Sequence, residues 1–495
     1  MSSEYSGAAA PPHILIFPVP LQGHVSSMLN LAEIFCLSDL HVTVVLTDYS
    51  HRRLLRHGGL HSRFSRYGGA FRAATISDGL PDDHPRTGEA IFDVVMSLRE
   101  VGGEQFRRVM ESSDGASRRR VSCLIIDGMM SYTLPVAAER RIPYFIFRTI
   151  SACAFWSYFC TPEIIAAGEM PLRGNDEDKL TYWRKKEMDF PVTAVPGMEG
   201  ILRRRDLPGL LRVNDAANLS LQAMAAETKA TTKANGFILN TFEDLEGPIL
   251  DQIRKHIPNL YSVGPLHSHL KSRLESSGFE SSQKNSSSFW AEDSSCIDWL
   301  DSQPIGSVVY VSFGSVTMLT RDELFEFWYG LVNSGIRFLW VIRPDSVVGN
   351  RVGDTIPEEL EEGTKRRGHM VEWVPQSTVL GHPSVGVFFT HSGWNSILEC
   401  VAIGLPMICW AYFVDQMTNS RFVSEVWKMG LDIKDTCDRV IVENVVREVM
   451  EVRKDEFLER ARAMSIMARN AISEGGSSFV NLNRLNEFLK STTQR

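Results

Sequence analysis

Short β-rich apolar runs alternate with longer amphipathic helical stretches along nearly the whole chain, and no other feature restricts the fold as much. Strands separated by helices pair in parallel, because the connecting segment must carry the chain back to the same end of the sheet. Residues 13–19 (HILIFPV) read as a fully buried strand, and residues 20–23 turn the chain. The next segment places Val25, Met28, Leu29, Ala32, Phe35 and Cys36 on one helical face. Residues 41–47, 121–126 and 143–147 continue as strands, and residues 249–257 as a helical face. Between 266 and 295 the rhythm breaks into a polar, Ser-rich stretch. It has too little apolar surface to offset its ordering entropy and reads as a surface loop or linker. The pattern then resumes, with strands at 307–312, 338–342, 385–390 and 406–410 and helices at 321–332 and 396–402. The expectation is an α/β chain of two similar-sized halves, 1–262 and 301–476, joined by a linker at 263–300.

Charge and cysteine usage narrow the function classes. Lys+Arg number 52 against 60 Asp+Glu, a net charge of −8 over 495 residues. Neutralising phosphates takes clustered cations, so a general nucleic-acid or anionic-membrane binder is excluded. The short basic runs at 118–120 and 203–205 read as solvated loop charge. None of the eight cysteines forms a Cys-x-x-Cys pair, and Cys123, Cys400 and Cys409 lie inside apolar runs, the pattern of reduced, buried thiols. The amino end has neither a basic start nor an apolar stretch, and no apolar run approaches the roughly 18–20 residues that span a bilayer. A cytoplasmic protein without a transmembrane anchor is expected, and the sequons at Asn218 and Asn285 are read as chance matches.

The common nucleotide fingerprints fail. No two glycines stand two residues apart, so Gly-x-Gly-x-x-Gly is missing. The pair Gly363 and Gly368 is followed by His369 rather than the Lys-Ser/Thr of a P-loop, and Gly-x-Ser-x-Gly does not occur. The Asp176, Asp178 pair lies in a polar run with no strand delivering it and reads as a solvated loop. Residues 373–416 are more informative. A strand ending at Thr390 feeds His391, Ser392, Gly393, Trp394, Asn395 and Ser396 into a helix start. A His beside a Gly-containing turn and free helix N–H groups makes an anion site. Trp373 offers a flat face for a base, Glu399 two acceptors for ribose hydroxyls, and Asp415 with Gln416 hydrogen bonds for a polyol.

From its opening Trp to its closing Gln, this 44-residue segment resembles the signature box of plant family 1 UDP-dependent glycosyltransferases. The resemblance extends to Gln22-Gly23-His24, Ile126-Asp127-Gly128 and Phe313-Gly314-Ser315. It implies a GT-B fold: two Rossmann-like domains facing across a cleft, acceptor mainly on the first and donor mainly on the second. The last helix, about 477–489, would cross back to the first domain, with 477–495 packing on it. His24 would be the general base and Asp127 its partner, fixing the tautomer and stabilising imidazolium. Trp373 would stack on uracil with Val374 beside it, Gln376 would bond near base or ribose, and Glu399 would hold the ribose. His391, Asn395, Ser396 and Ser315 would hold the diphosphate, and Trp394, Asp415 and Gln416 the sugar. Gln416 resembles the glucose-using members. No metal and no further cofactor is implied beyond UDP-glucose as co-substrate, the helix dipole, His391 and hydroxyls stabilising departing UDP. The chain is expected to act as a monomer on a small-molecule acceptor.

Some positions depart from the commoner pattern. Ser392 replaces a frequent Cys and Ala411 a frequent Pro. Arg148 stands before Thr149 where an aromatic is common, and could pair with an acceptor carboxylate or form a structural ion pair. With Pro-Leu-Gln-Gly-His at 20–24 and Tyr-Ser-His-Arg-Arg at 49–53, it resembles the branch containing 7-deoxyloganetic acid glucosyltransferases. The implied reaction is inverting O-glucosylation of a small lipophilic metabolite, an iridoid or other terpenoid acid. Ester formation on an acceptor carboxylate and a non-catalytic UDP-sugar binder are the alternatives. The acceptor pocket is expected from Arg148, Thr149, Phe155 and Met198, in loops near 76–90, 149–159 and 198–207.

Overall fold

The computed structural model describes residues 11–113, 119–171, 186–279, 287–348 and 356–492. Asp176, Asp178, Asn285 and Arg118 lie outside them. Seven strands form the first sheet: β1 (His13–Phe17), β2 (His41–Thr47), β3 (Phe71–Ile76), β4 (Cys123–Asp127), β5 (Tyr144–Arg148), β6 (Gly236–Leu239) and β7 (Leu260–Ser262). All pairs are parallel in the order β3-β2-β1-β4-β5-β6-β7. The second sheet uses β8 (Val308–Ser312), β10 (Arg337–Val341), β12 (Gly368–Val371), β13 (Val385–Thr390), β14 (Met407–Cys409) and β15 (Gly430–Asp432). Its order is β12-β10-β8-β13-β14-β15, again all parallel. A minor parallel pair, β9 (Leu319–Thr320) with β11 (Val347–Val348), lies outside it. Two doubly wound sheets of this kind make the GT-B architecture.

Each sheet is buried on both faces, which is why its strands read as apolar runs rather than alternations. In β1, Ile14 and Ile16 pack with Val25, Leu29 and Ala32 of the Gln22–Leu37 helix, while Leu15 and Phe17 face the opposite layer. The closing helix, Ser477–Ser491, inserts Leu482, Leu485 and Leu489 into the same layer as Ile14. It is pinned there by Ser478 Oγ donating to the Gly264 carbonyl at 2.5 Å. One apolar cluster holds Leu124 and Ile126 of the first sheet together with Trp394, Ile397 and Leu398 of the second half.

The polar stretch departs from the linker expected at 263–300. Leu266–Ser276 is a helix that buries Leu266, His269, Leu270 and Leu274 against the Gln22–Leu37 helix. An apolar residue every fourth position suffices to dock it, and the surrounding serines mask that stripe in the composition. Ser287 and Phe289 fold back onto Gln22, whose amide donates to the Ser287 carbonyl and accepts from the Phe289 N–H, both at 2.8 Å. Within the two large sheets, strands β3, β6, β7, β12 and β15 are not foreseen from the sequence. Four of them run four residues or fewer, and β3 carries Arg72 in its interior. All eight cysteines are free, and seven are buried. Among the described residues no helix is long and apolar enough to cross a membrane.

The strand order reverses direction between β1 and β4, and between β8 and β13. In open α/β sheets ligands bind at such switch points, beyond the carboxyl ends of the strands. The two switch points open onto one another.

Candidate active site

A cavity of about 730 Å³ lies between the carboxyl ends of the sheets, lined from both halves of the chain. From β1, the turn into the Gln22–Leu37 helix delivers His24, and the last residue of β4 is Asp127. His24 Nδ1 lies 2.7 Å from Asp127 Oδ2 and 2.9 Å from Thr149 Oγ1. Asp127 is 1% exposed and His24 24%, so the carboxylate is sealed beneath a ring whose free edge opens on the cavity. With Nδ1 committed to the carboxylate, Nε2 is left as the ring's acceptor.

The facing wall starts at β8 and β13. The Trp394–Ile403 helix begins at Gly393 without a side-chain cap, leaving its first-turn N–H groups to the cavity. His391 sits over this end, wedged between two glycines. A Cβ at Gly314 or at Gly393 would stand 2.5 Å from its ring. Gly314 also has φ +77°, a left-handed conformation that glycine adopts without strain. Burial pulls the His391 ring down to about 4, against the Ser312 carbonyl, so it is neutral at pH 7. One turn along, Gln376 Nε2 donates to Glu399 Oε2 at 2.7 Å and to Ser396 Oγ at 3.1 Å. Burial pushes the Glu399 carboxyl up to about 7, with the Gln376 amide opposing. Trp373, Val374 and Ser315 complete this side of the lining. Asp415 is pushed up to about 6 by burial, with the Asn419 amide, 2.7 Å from its Oδ2, opposing. Gln416 Oε1 accepts from the Tyr412 and Phe413 N–H groups at 2.8 and 2.9 Å, which leaves its NH2 directed to the cavity. The turn they hold contains Val414 at φ +55°, a strained value for a β-branched residue.

Two residues assigned above to the donor spend their side chains elsewhere. Trp394 is buried, and its indole N–H donates to the Asn240 carbonyl at 2.8 Å. Asn395 donates to the Gly23 carbonyl and accepts from Ser27 Oγ, both at 2.8 Å, spanning the cleft. Of the residues expected to meet the acceptor, Arg148 and Thr149 line the cavity, but Phe155 and Met198 do not. Phe155 is fully buried against Phe237, ring centroids 4.4 Å apart, and Met198 is fully buried beside Ser157. Both are core residues: the Ala152–Phe159 helix turns Phe155 into the domain, and Met198 packs against that helix at Ser157. The loops at 76–90 and 198–207 supply no lining among the described residues. The wall is built instead from Ile91, Phe92, Val95, Met129, Ile150, Leu210 and Met224.

Residues 291–467 match the family model described as UDP-glucoronosyl and UDP-glucosyl transferase. Across 97% of this chain and 98% of the relative, the sequence is 56% identical to the 7-deoxyloganetic acid glucosyl transferase of Catharanthus roseus. The chain is a UDP-glycosyltransferase. It is also 36% identical, over 99% of its length and 98% of the relative, to the 7-deoxyloganetin glucosyltransferase of the same plant. Among solved structures it resembles Os79 from O. sativa in complex with UDP, with a TM-score of 0.76 and 26% identity over 97% of this chain and all of that one. Phytolacca americana UGT2, complexed with UDP-2fluoro-glucose and pterostilbene, superposes with a TM-score of 0.74 at 25% identity over 97% of this chain and 99% of that one.

The apolar wall of the cavity escapes sequence reasoning for a definable reason. Ile91, Phe92 and Val95 sit on the Ile91–Ser113 helix as ordinary members of an apolar stripe. Only packing decides which of them reach the cavity. Arg148 carried the one usable signal, a charge at the end of a buried strand.

Proposed function

We propose that this UDP-glycosyltransferase moves glucose from UDP-glucose to a hydroxyl of a small lipophilic acid, of the iridoid or a related terpenoid class, with inversion at the anomeric carbon. The observation that carries the reading is the His24–Asp127 pair at 2.7 Å, opening on a cavity with one apolar wall and one wall built around a helix amino end. An alcohol at pH 7 is a poor nucleophile, so a base must take its proton as the new bond forms. His24 Nε2 receives that proton, and Asp127 holds Nδ1–H and stabilises the imidazolium. The acceptor oxygen attacks the anomeric carbon in line, the bond from that carbon to the diphosphate breaks, and UDP departs. The charge on the leaving diphosphate is met by the helix amino end, neutral His391, Ser315 and Ser396, without a metal. Trp373 and Val374 bracket the uracil, Gln376 and Glu399 hold the ribose, and Asp415 with Gln416 bonds the sugar hydroxyls. Trp394 and Asn395 serve the donor chiefly through their helix N–H groups, given where their side chains are bound.

In this reading, 1–262 with the final helix binds acceptor and 301–476 binds donor. A single chain supplies every group named, which supports a monomer, and eight unpaired cysteines support a cytoplasmic setting. The acid acceptor draws on the relative whose name states 7-deoxyloganetic acid. The test is UDP-glucose with a panel of terpenoid acids, neutral terpenoids and phenolics, read by mass, on wild type and His24→Ala. Transfer to hydroxyls should vanish in the variant while UDP binding persists. Wild-type-like turnover would remove His24 as base, a product cleaved by mild alkali would reveal an ester, and no glycoside with any acceptor would leave a binding protein.

A further inference from the structure

Arg148 is 3% exposed, fixed at the carboxyl end of β5, and lines the acceptor side of the cavity. A guanidinium carries five N–H donors and keeps its charge in proteins. Here only one nitrogen reaches an oxygen: Nη2 donates to Thr228 Oγ1 at 3.0 Å. The Met224 sulfur, 3.7 and 3.8 Å from Nη1 and Nη2, is a weak acceptor, and Nε has no partner. No carboxylate forms an ion pair with it among the described residues. Asp127 and Glu227 set a favourable field but are engaged elsewhere, Asp127 with His24 and Glu227 with Arg99 at 2.9 Å. The Phe155 ring, 6.0 Å from Cζ, adds a weak cation–π contact, and a buried charge left with so little is costly unless something pairs with it. The site is also shaped around it, since a Cβ at Gly128 would stand 2.3 Å from Arg148 Nε.

We propose that Arg148 is the anchor for the acceptor's own carboxylate, which completes its fork and turns a hydroxyl, rather than the acid, toward His24. The proposal rests on the acid-acceptor reading above and adds the residue that enforces it. Arg148 lies within the field of Asp127, which holds His24, and both Arg148 and His24 line the cavity, so an acid anchored there leaves the rest of a small acceptor to reach the base. A carboxylate held by the guanidinium is withdrawn from glucosyl transfer, which selects the glucoside over the glucose ester.

The experiment pairs a terpenoid hydroxy acid with its methyl ester, and adds a neutral phenol, on wild type, Arg148→Met and Arg148→Lys. For Arg148→Met the KM of the acid should rise about 30-fold or more, the loss of a buried charge-assisted fork. The methyl ester and the phenol should change less than about 3-fold, and Tm should hold or increase, because an unpaired buried charge has been removed. Arg148→Lys keeps the charge without the fork and should recover part of the acid's KM. It also provides the acid-selective readout if the Met variant folds poorly. Equal losses on acid, ester and phenol, or no loss on the acid, would make Arg148 structural and overturn the proposal. If wild type glucosylates the phenol but no acid, the anchor and the acid-acceptor reading both fall while the transferase stands. If wild type takes the acid and Arg148→Met takes it equally well, the anchor alone falls.

Discussion

Replacing Glu399 by Gln should make the protein more stable in mild alkali and poorer at holding its donor. Burial lifts this carboxyl from 4.5 to about 7 in the folded chain. Below pH 4.5 both folded and unfolded chains carry the proton. Between there and about 7 the folded chain keeps a proton that the unfolded chain has released, so stability falls as pH rises through that window. At about 1.4 kcal/mol per pH unit the full loss is roughly 3 kcal/mol. Because the half-buried carboxylate opens on the cavity, solvent reduces this to roughly 2 kcal/mol. For a domain of this size that is roughly 5 °C in Tm. Gln is neutral throughout and can still accept from Gln376, which sits 2.7 Å away. Tm measured from pH 5 to 8.5 should therefore converge for the two proteins at the acid end. At pH 8.5 the variant should melt higher by about 5 °C. If Glu399 holds the ribose as proposed, the KM for UDP-glucose should rise roughly 10-fold, since one amide oxygen replaces two carboxylate acceptors. A constant Tm offset across the range, or a variant less stable at pH 8.5, would refute the argument.

Asp127→Asn should lower kcat with hydroxyl acceptors by roughly 100-fold or more while UDP affinity, measured by calorimetry, stays put. Gly393→Ala places a Cβ 2.5 Å from His391 Nε2 and should weaken UDP binding roughly 10-fold, with an overpacking loss of about 1–3 kcal/mol in a denaturant melt. Asp206→Asn removes a carboxylate 3.0 Å from the buried Lys434 ammonium and should cost roughly 3 kcal/mol in a denaturant melt.

Much of the framework could be read directly. The strands at 41–47 and 385–390 match His41–Thr47 and Val385–Thr390 to the residue, since a doubly covered parallel strand is an unbroken apolar run. The candidate site was legible in part for a related reason: loops at the carboxyl ends of neighbouring strands in one sheet converge whatever their side chains, which brings His24 to Asp127, whereas the meeting of the two sheets across the cavity follows from no local pattern. The Leu266–Ser276 helix was hidden because three leucines dock it and the serines around them dominate any window average. Phe155 and Met198 were misplaced because an aromatic or Met beside a binding loop packs inward as readily as outward, and only the finished core decides. Trp394 and Asn395 belong to residues that a motif names without showing their bonds, which run to Asn240, Gly23 and Ser27 in the other half of the chain.

That last pair of bonds has a mechanical consequence. A single amide, Asn395, grips the first turns of the helix that carries His24 by two atoms at once, at Gly23 and Ser27. The two bonds leave Asn395 with its carbonyl and its amide both committed to one helix, so the two halves of the chain meet here through a contact with a defined register. The same contact ties the Trp394–Ile403 helix to the helix that carries His24, so the placement of one registers the other.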